Sequence, residues 1–263
     1  MNVQSPINGT ISAPNVATFG KRYLYPDGSY DLIAADYAAF KPAGWEPIGA
    51  KIPQAPTAKR ERSEESAKRE NEQRAARRAK AKVRRLALAN EFEWFVTLTY
   101  NPDKVDSFNA ELALKRMSQW CSNQVQRRGL RYILVPEYHK SGRVHLHGFF
   151  SGDLLAEPSG RYADNGQPIY NLPGWDYGYT TAVQLYGEYP RAVNYVCKYI
   201  GKDGKIGGRW YYSGGPLAQP KEEYIDLSAG DLIAQAGGRA WVISKAGKVY
   251  AGINGIKGEE HDE

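Results

Sequence analysis

The chain has 263 residues, 42% of them hydrophobic, and a formal net charge of +6. That length carries one good-sized domain with appendages or two small ones, and the apolar share is enough for a buried core. Cys121 and Cys197 stand far apart in no CxxC pattern, so neither a disulfide framework nor a structural zinc site is implied, and no apolar run approaches a membrane span. The stretch MNVQSPINGTISAPN lacks the basic start and apolar core of a secretory leader, which predicts a reducing, cytoplasmic setting. A sequence pI of about 9.1 points to a polyanionic partner.

The first 57 residues hold KRYLYPDGSYDLI, predicted as a small hairpin turning at Asp27-Gly28. AAFKPAGWEPIGAKIPQAPTAK, rich in Pro and Gly, reads as linker. From 59 to 89 the sequence has no Gly or Pro and is rich in Ala, which predicts a long helix. In its second half Arg74, Arg77, Arg78, Lys80, Lys82, Arg84 and Arg85 occur with no acid between them. Ala75, Ala79, Val83 and Leu86 form a narrow apolar stripe at helical spacing, so one side docks and the basic side is free to track phosphates.

FEWFVTLTY (92–100) alternates and is rich in β-branched and aromatic residues, as a strand requires. A helix is predicted over 108–128, a strand over 131–139, a tight turn at Ser141-Gly142 and a strand over 143–150. Residues 152–178 read as loop with turns at Asn165-Gly166 and Pro173-Gly174. A strand over 180–186, a helix over 189–202 and a closing strand over 208–214 follow. This order predicts an α+β fold of split-βαβ, ferredoxin-like type, with about five antiparallel strands and helices on one face. Beyond 220, AWVIS and KVYAGI read as two short strands before an acidic tail.

Within VHLHGFF (144–150), His145 and His147 occupy positions i and i+2 of a strand and project from one face. The chain has four histidines, so a paired H-x-H concentrates half of them in one place. Neutral imidazoles side by side can share a cation. Pairing through the turn at 141–142 brings Glu137 close to the histidines. Tyr138 and His139 are near as well, but strand parity and chemistry favour the carboxylate. Two imidazoles and a carboxylate suit Mg2+ or Mn2+ acting on phosphate oxygens. The H-x-H of metal-dependent amidohydrolases needs further histidines, and only His139 and His261 remain.

NYVCKYIGK places Tyr195 and Tyr199 on one helical face, with Lys198 beside them. An ammonium is a poor member of a buried apolar stripe, so a polar role is favoured over packing. A phenol becomes a useful nucleophile when a cation and an ammonium stabilise the phosphate it attacks.

Taken together, FVTLT, the E-x7-H-L-H strand pair and Y-V-C-K-Y-I-G-K resemble the HUH endonuclease superfamily, in particular rolling-circle replication initiators of small single-stranded DNA bacteriophages and related plasmids. The resemblance covers about residues 75 to 215. It implies metal ligation by Glu137, His145 and His147, with Tyr195 as primary nucleophile, Tyr199 as second nucleophile and Lys198 as a phosphate or transition-state contact. It also implies single-stranded and origin DNA as substrate, a 5′-phosphotyrosine intermediate, and no nucleotide cofactor. A host polymerase would extend the released 3′-hydroxyl, and a host helicase is expected because no GxxxxGK[ST] pattern occurs. A relaxase or single-strand transposase using the same chemistry, and a non-catalytic DNA-binding protein on the same fold, are the competing readings. The expected organisation is an arm (1–57), a basic helix (58–90), an HUH endonuclease domain (91–215) and a C-terminal extension (216–263).

Overall fold

A computed structural model of the chain describes residues 18–36, 63–187, 189–245 and 248–257. Its elements in order are β1 (Thr18–Leu24), β2 (Tyr30–Asp36), α1 (Glu64–Leu88), β3 (Trp94–Tyr100), α2 (Ala110–Arg128), β4 (Arg131–Tyr138), β5 (Val144–Ser151), β6 (Glu157–Tyr162), β7 (Pro168–Asn171), β8 (Gly178–Gln184), α3 (Tyr189–Cys197), β9 (Tyr212–Gly214), β10 (Lys221–Ile225), α4 (Ala229–Gln235), β11 (Trp241–Lys245) and β12 (Lys248–Ile256). They fall into two units, Arg60–Pro220 and Met1–Lys59 with Lys221–Glu263. The predicted linker, the first residues of the predicted long helix and the acidic tail lie outside the described residues.

The larger unit is built on one antiparallel sheet ordered β6-β7-β8-β3-β5-β4-β9. β3 and β4 run parallel with β5 inserted between them and α2 connecting them, which is the split-βαβ arrangement. The sheet has seven strands rather than about five. Two of the additional strands come from the stretch read as loop: β6 and β7 form a hairpin whose turn bonds Gly166 N–H to the Ala163 carbonyl at 2.8 Å. Pro158, Ser159 and Gly160 disguise β6, because they sit in a bulge between Pro158 and Arg161 that strand propensity does not describe.

The alternation of β3 assigns its two faces. Val96 and Leu98 pack with Leu146 and Phe150 of β5 against Leu114, Met117 and Trp120 of α2. Each of these fully buried side chains contributes about 2 kcal/mol through burial. α2 has the ends its sequence calls for, with Asn109 Oδ1 accepting from Leu112 N–H at 3.1 Å and Gly129 at φ 61°. Gly148 lies between His147 and Phe149, where a Cβ would overlap the carbonyl oxygen of Ile133 on β4. Only glycine lets these two strands approach so closely.

α3 lies on the opposite face of the sheet, where Tyr189 meets the edge of Phe149 and Tyr195 meets the edge of Phe95. The expectation that all helices share one face is therefore corrected. β5 presents residues of alternating parity to the two sides, and both sides are covered in part by helices. α3 is also shorter than expected. It ends at Cys197, and residues 198–202 continue as turns in which Lys198, Tyr199, Ile200 and Lys202 N–H each bond three residues back. Gly201, at φ 87°, breaks the helical path. The predicted closing strand contracts to Tyr212–Gly214.

α1 is a 25-residue helix capped by Ser63 and carrying Glu64 and Glu65 in its first turn. Ala79, Val83 and Leu86 form its buried stripe, as the spacing predicts. It is packed on α3: Tyr189 OH donates to Ala87 O at 2.7 Å, Cys197 Sγ lies 3.8 Å from Lys80 O, and Ala76 abuts Gly201. Asn90 anchors its far end, donating to Leu86 O at 2.7 Å and Ala218 O at 2.9 Å and accepting from Ala218 N–H at 2.9 Å.

The smaller unit is a five-stranded sheet ordered β10-β1-β2-β12-β11. The predicted hairpin is β1-β2, turning through Asp27 and Gly28, with Asp27 Oδ1 accepting from Ser29 N–H at 2.9 Å. Leu232, Ala229 and Ala236 of α4 pack on Ala34, Ala251 and Ile253. The two strands expected from AWVIS and KVYAGI are β11 and β12.

Candidate active site

The face of the sheet that α2 leaves free carries a row of residues in register. Tyr179 on β8 pairs with Thr99 on β3, Thr99 pairs with His145 on β5, and His145 pairs with Glu137 on β4. The next row is Thr181, Thr97, His147 and Val135. Directly paired residues point to the same side, so both histidines, Glu137 and both threonines of β3 share this face.

Their contacts are specific. His147 Nε2 lies 3.1 Å from Glu137 Oε2, and its Nδ1 lies 3.1 Å from Thr97 Oγ1. The other Glu137 oxygen is held by the Lys202 ammonium. His139 stacks flat on His145, with ring centroids 4.9 Å apart and planes 11° from parallel. Burial pushes His145 below the ordinary imidazole value, helped by the neighbouring His139 and His147. His147 is lowered too: its burial outweighs the opposing pull of Glu137. Both rings are thus neutral near pH 7, the form that offers a lone pair. Lys202 is shifted the other way, its ammonium favoured by the hydrogen bond to Glu137.

The tyrosines complete the site from α3 and the turns that follow it. Tyr199 lies flat on His147, with centroids 4.5 Å apart, and its hydroxyl donates to the Tyr195 hydroxyl at 2.6 Å. Tyr195 is 44% exposed, and Lys198 Nζ sits 5.6 Å from the centre of its ring. Burial raises the Tyr199 phenol above its ordinary value, and donation to Tyr195 raises it further, because ionisation would forfeit that bond. The same bond supplies the Tyr195 oxygen with a donor able to stabilise negative charge there.

Glu137, His145 and His147 are donors of the kinds that bind Mg2+ or Mn2+ among oxygen ligands. Among the described residues no group of three or more His, Cys, Asp or Glu side chains already encloses a cation. Glu137 instead spends its oxygens on His147 and Lys202. The Thr97 hydroxyl can donate to Nδ1 or accept from it, so it supports either tautomer of His147, including the one with a free Nε2 lone pair.

The seven basic residues of α1 do not join this cluster. Arg74, Arg77, Arg78, Lys80 and Lys82 lie on the outer part of the helix, whereas Arg84 and Arg85 are half-buried. Arg74 is drawn toward Glu70 at 3.6 Å and Asn71 at 3.0 Å. Cys121 and Cys197 are free and buried, and burial pushes the Cys197 thiol up to about 11, so neither offers a thiolate.

Four contacts were not anticipated from sequence. Lys202, rather than Lys198, meets Glu137; its place seven residues after Tyr195 on the same helical face was the available signal. Asp203 Oδ2 accepts from Tyr138 N–H at 3.0 Å and ties the end of the tyrosine segment to β4. Thr97 and the stack of His139 on His145 depend on the register of β3 and on the turn geometry, which carry no local signal.

An α+β protein with paired imidazoles, a carboxylate and two phenols on one open sheet face is of the class that handles phosphodiesters. Residues 93–204 match the model of a family of replication-associated proteins typified by ORF2, and this similarity supports a role in DNA replication. The matched segment contains every residue of the sheet-face cluster and both tyrosines, and it leaves out α1. No curated protein and no solved structure matches the chain significantly. Among the described residues no helix is long and apolar enough to cross a membrane.

Proposed function

We propose that the chain initiates rolling-circle DNA replication by nicking and joining single-stranded origin DNA through a 5′-phosphotyrosine. The observation that carries this reading is the contact of Tyr199 with both His147 and Tyr195, which sets two phenol oxygens 2.6 Å apart beside the histidine pair. Glu137, His145 and His147 would hold Mg2+ or Mn2+, which when bound neutralises charge on the non-bridging oxygens of the phosphate. The Tyr195 oxygen attacks phosphorus, a Tyr–O–P bond forms, and the bond from phosphorus to the 3′ oxygen breaks. The leaving oxygen takes a proton and becomes the free 3′-hydroxyl. Tyr199 supports the charge on Tyr195 in this step. In a second transfer Tyr199 is the nucleophile, and attack by a 3′-hydroxyl on a phosphotyrosine closes a strand with no net change in phosphodiester bonds. Lys198 is placed to contact the phosphate beside Tyr195. The exposed basic residues of α1 contribute phosphate contacts that are independent of sequence. A host polymerase and helicase would act on the 3′-hydroxyl and the displaced strand, in the cytoplasm of a bacterial host.

The test uses labelled single-stranded oligonucleotides tiling the replicon that encodes the chain, incubated with the full chain and Mn2+. The expected result is one cleaved sequence and a protein–DNA adduct that survives denaturation. Cleavage without adduct, or adduct formation by Tyr195→Phe,Tyr199→Phe, would overturn the reading.

A further inference from the structure

The row through His145 and Glu137 continues in the other direction, toward β8, and there it meets a cavity of about 540 Å³. Thr97 and Thr99, which face His147 and His145 across the register, form its near wall. Tyr179 stands beside Thr99, and Lys104, Arg161 and Asn171 line the remainder with the Asp176 segment. The volume lies within the range of small-molecule pockets. Tyr179 is 66% exposed, a large solvent-facing ring for a strand residue next to a candidate active site. It is two strand spacings from His145, about 10 Å, within reach of a nucleotide next to a phosphate held at the histidines.

The lining combines what a nucleotide requires. An exposed phenol ring offers a stacking face to any base. Arg161 and Lys104 bring positive charge, and Lys104 Nζ is steadied by the Asp176 carbonyl at 2.9 Å. Arg161 belongs to the β6-β7 hairpin and reaches toward Asn171 Oδ1 at 3.5 Å, so that hairpin forms an outer wall. The amide of Asn171 and the hydroxyls of Thr97, Thr99 and Thr181 supply both donors and acceptors for a base edge.

We propose that this cavity binds one nucleobase of the single-stranded DNA, next to the phosphate that is cut, with Tyr179 as its stacking platform. This rests on the function proposed above and adds to it a fixed position for the neighbouring base. The β6-β7 hairpin thereby becomes part of the substrate site, and Tyr179 a positioning residue that touches the DNA without touching the reacting atoms.

The experiment measures binding of the full chain to fluorescein-labelled eight-nucleotide oligothymidylate and to an abasic deoxyribose-phosphate chain of equal length. No divalent cation is added, so that nothing is cut. The wild-type chain is expected to prefer the oligothymidylate. Tyr179→Ala should lose roughly tenfold in affinity for it and little for the abasic chain, while Tyr179→Phe keeps the preference. Equal loss on both chains, or an unchanged preference in Tyr179→Ala, would overturn the proposal while leaving tyrosine-mediated nicking intact. If the wild-type chain binds neither probe, the pocket proposal and the function it rests on fall together.

Discussion

Tyr199 lies over His147 with ring planes 11° from parallel, so a candidate nucleophile and a candidate metal ligand are packed face to face. Moving either ring disturbs the other. Removing one phenol oxygen while keeping its ring therefore separates chemistry from packing, and this governs how the tyrosines are tested.

Tyr195→Phe should fold normally and form no covalent adduct, because the first attacking oxygen is gone. Tyr199→Phe keeps the stack on His147 and should still cleave once, more slowly because Tyr195 loses its donor. It should then leave protein trapped on DNA and release no closed circles. A denaturing gel for the adduct and a circle-release assay read the two steps. An adduct formed by Tyr195→Phe and not by Tyr199→Phe would reverse the order.

His145→Ala or His147→Ala should abolish Mn2+-dependent nicking with little effect on the unfolding midpoint. Thr97→Val is the finer probe, since it removes the partner that orients His147 and keeps the volume. It should weaken Mn2+ binding by about tenfold, as measured by calorimetry. Full nicking by the double histidine variant in chelator would remove the metal from the mechanism.

The two lysines should separate cleanly. Lys198→Met is expected to slow cleavage by on the order of a hundredfold with Mn2+ affinity unchanged, as removal of a transition-state interaction does. Lys202→Met should tighten Mn2+ binding, because no ammonium then competes for Glu137. Weaker binding in Lys202→Met would mean that the lysine holds Glu137 in a productive position.

Charge reversal at the exposed Arg77, Arg78 and Lys80 should weaken single-stranded DNA binding across sequences. It should also lower the slope of log K against log salt by about 0.7 for each phosphate that is no longer neutralised. An unchanged slope would assign these side chains to solvent.

Gly148→Ala tests the platform itself. The added methyl overlaps the Ile133 carbonyl, so β4 and β5 must separate, and a loss of about 1–3 kcal/mol is expected in urea unfolding. Because His147 is the preceding residue, metal binding should fall with it.

The fold and the site are legible in the sequence where the signal is local. Alternation places Phe95, Thr97 and Thr99 on one face of β3, and a short turn fixes Glu137 opposite His145. Helical spacing brings Tyr195 and Tyr199 together, although the helix itself ends at Cys197. Legibility fails where distant segments meet. No local pattern tells that β8 pairs with β3, or that β10 pairs with β1 some two hundred residues earlier. Which sheet face receives each helix is likewise decided by packing, so α2 and α3 could not be assigned to opposite sides. The hairpin β6-β7 is hidden by residues that usually mark turns, and with it the wall that carries Arg161.

The seating of α1 on α3, through Ala76 against Gly201 and Tyr189 on Ala87, has a consequence for how the chain measures DNA. The basic surface and the two phenols are mounted on neighbouring segments that are packed directly together. A strand gripped by Arg77 and Arg78 therefore meets Tyr195 at a span set by protein architecture. The chain acts as a ruler: an insertion in the DNA between the gripped stretch and the cut should move the position of cleavage, not the distance at which it occurs.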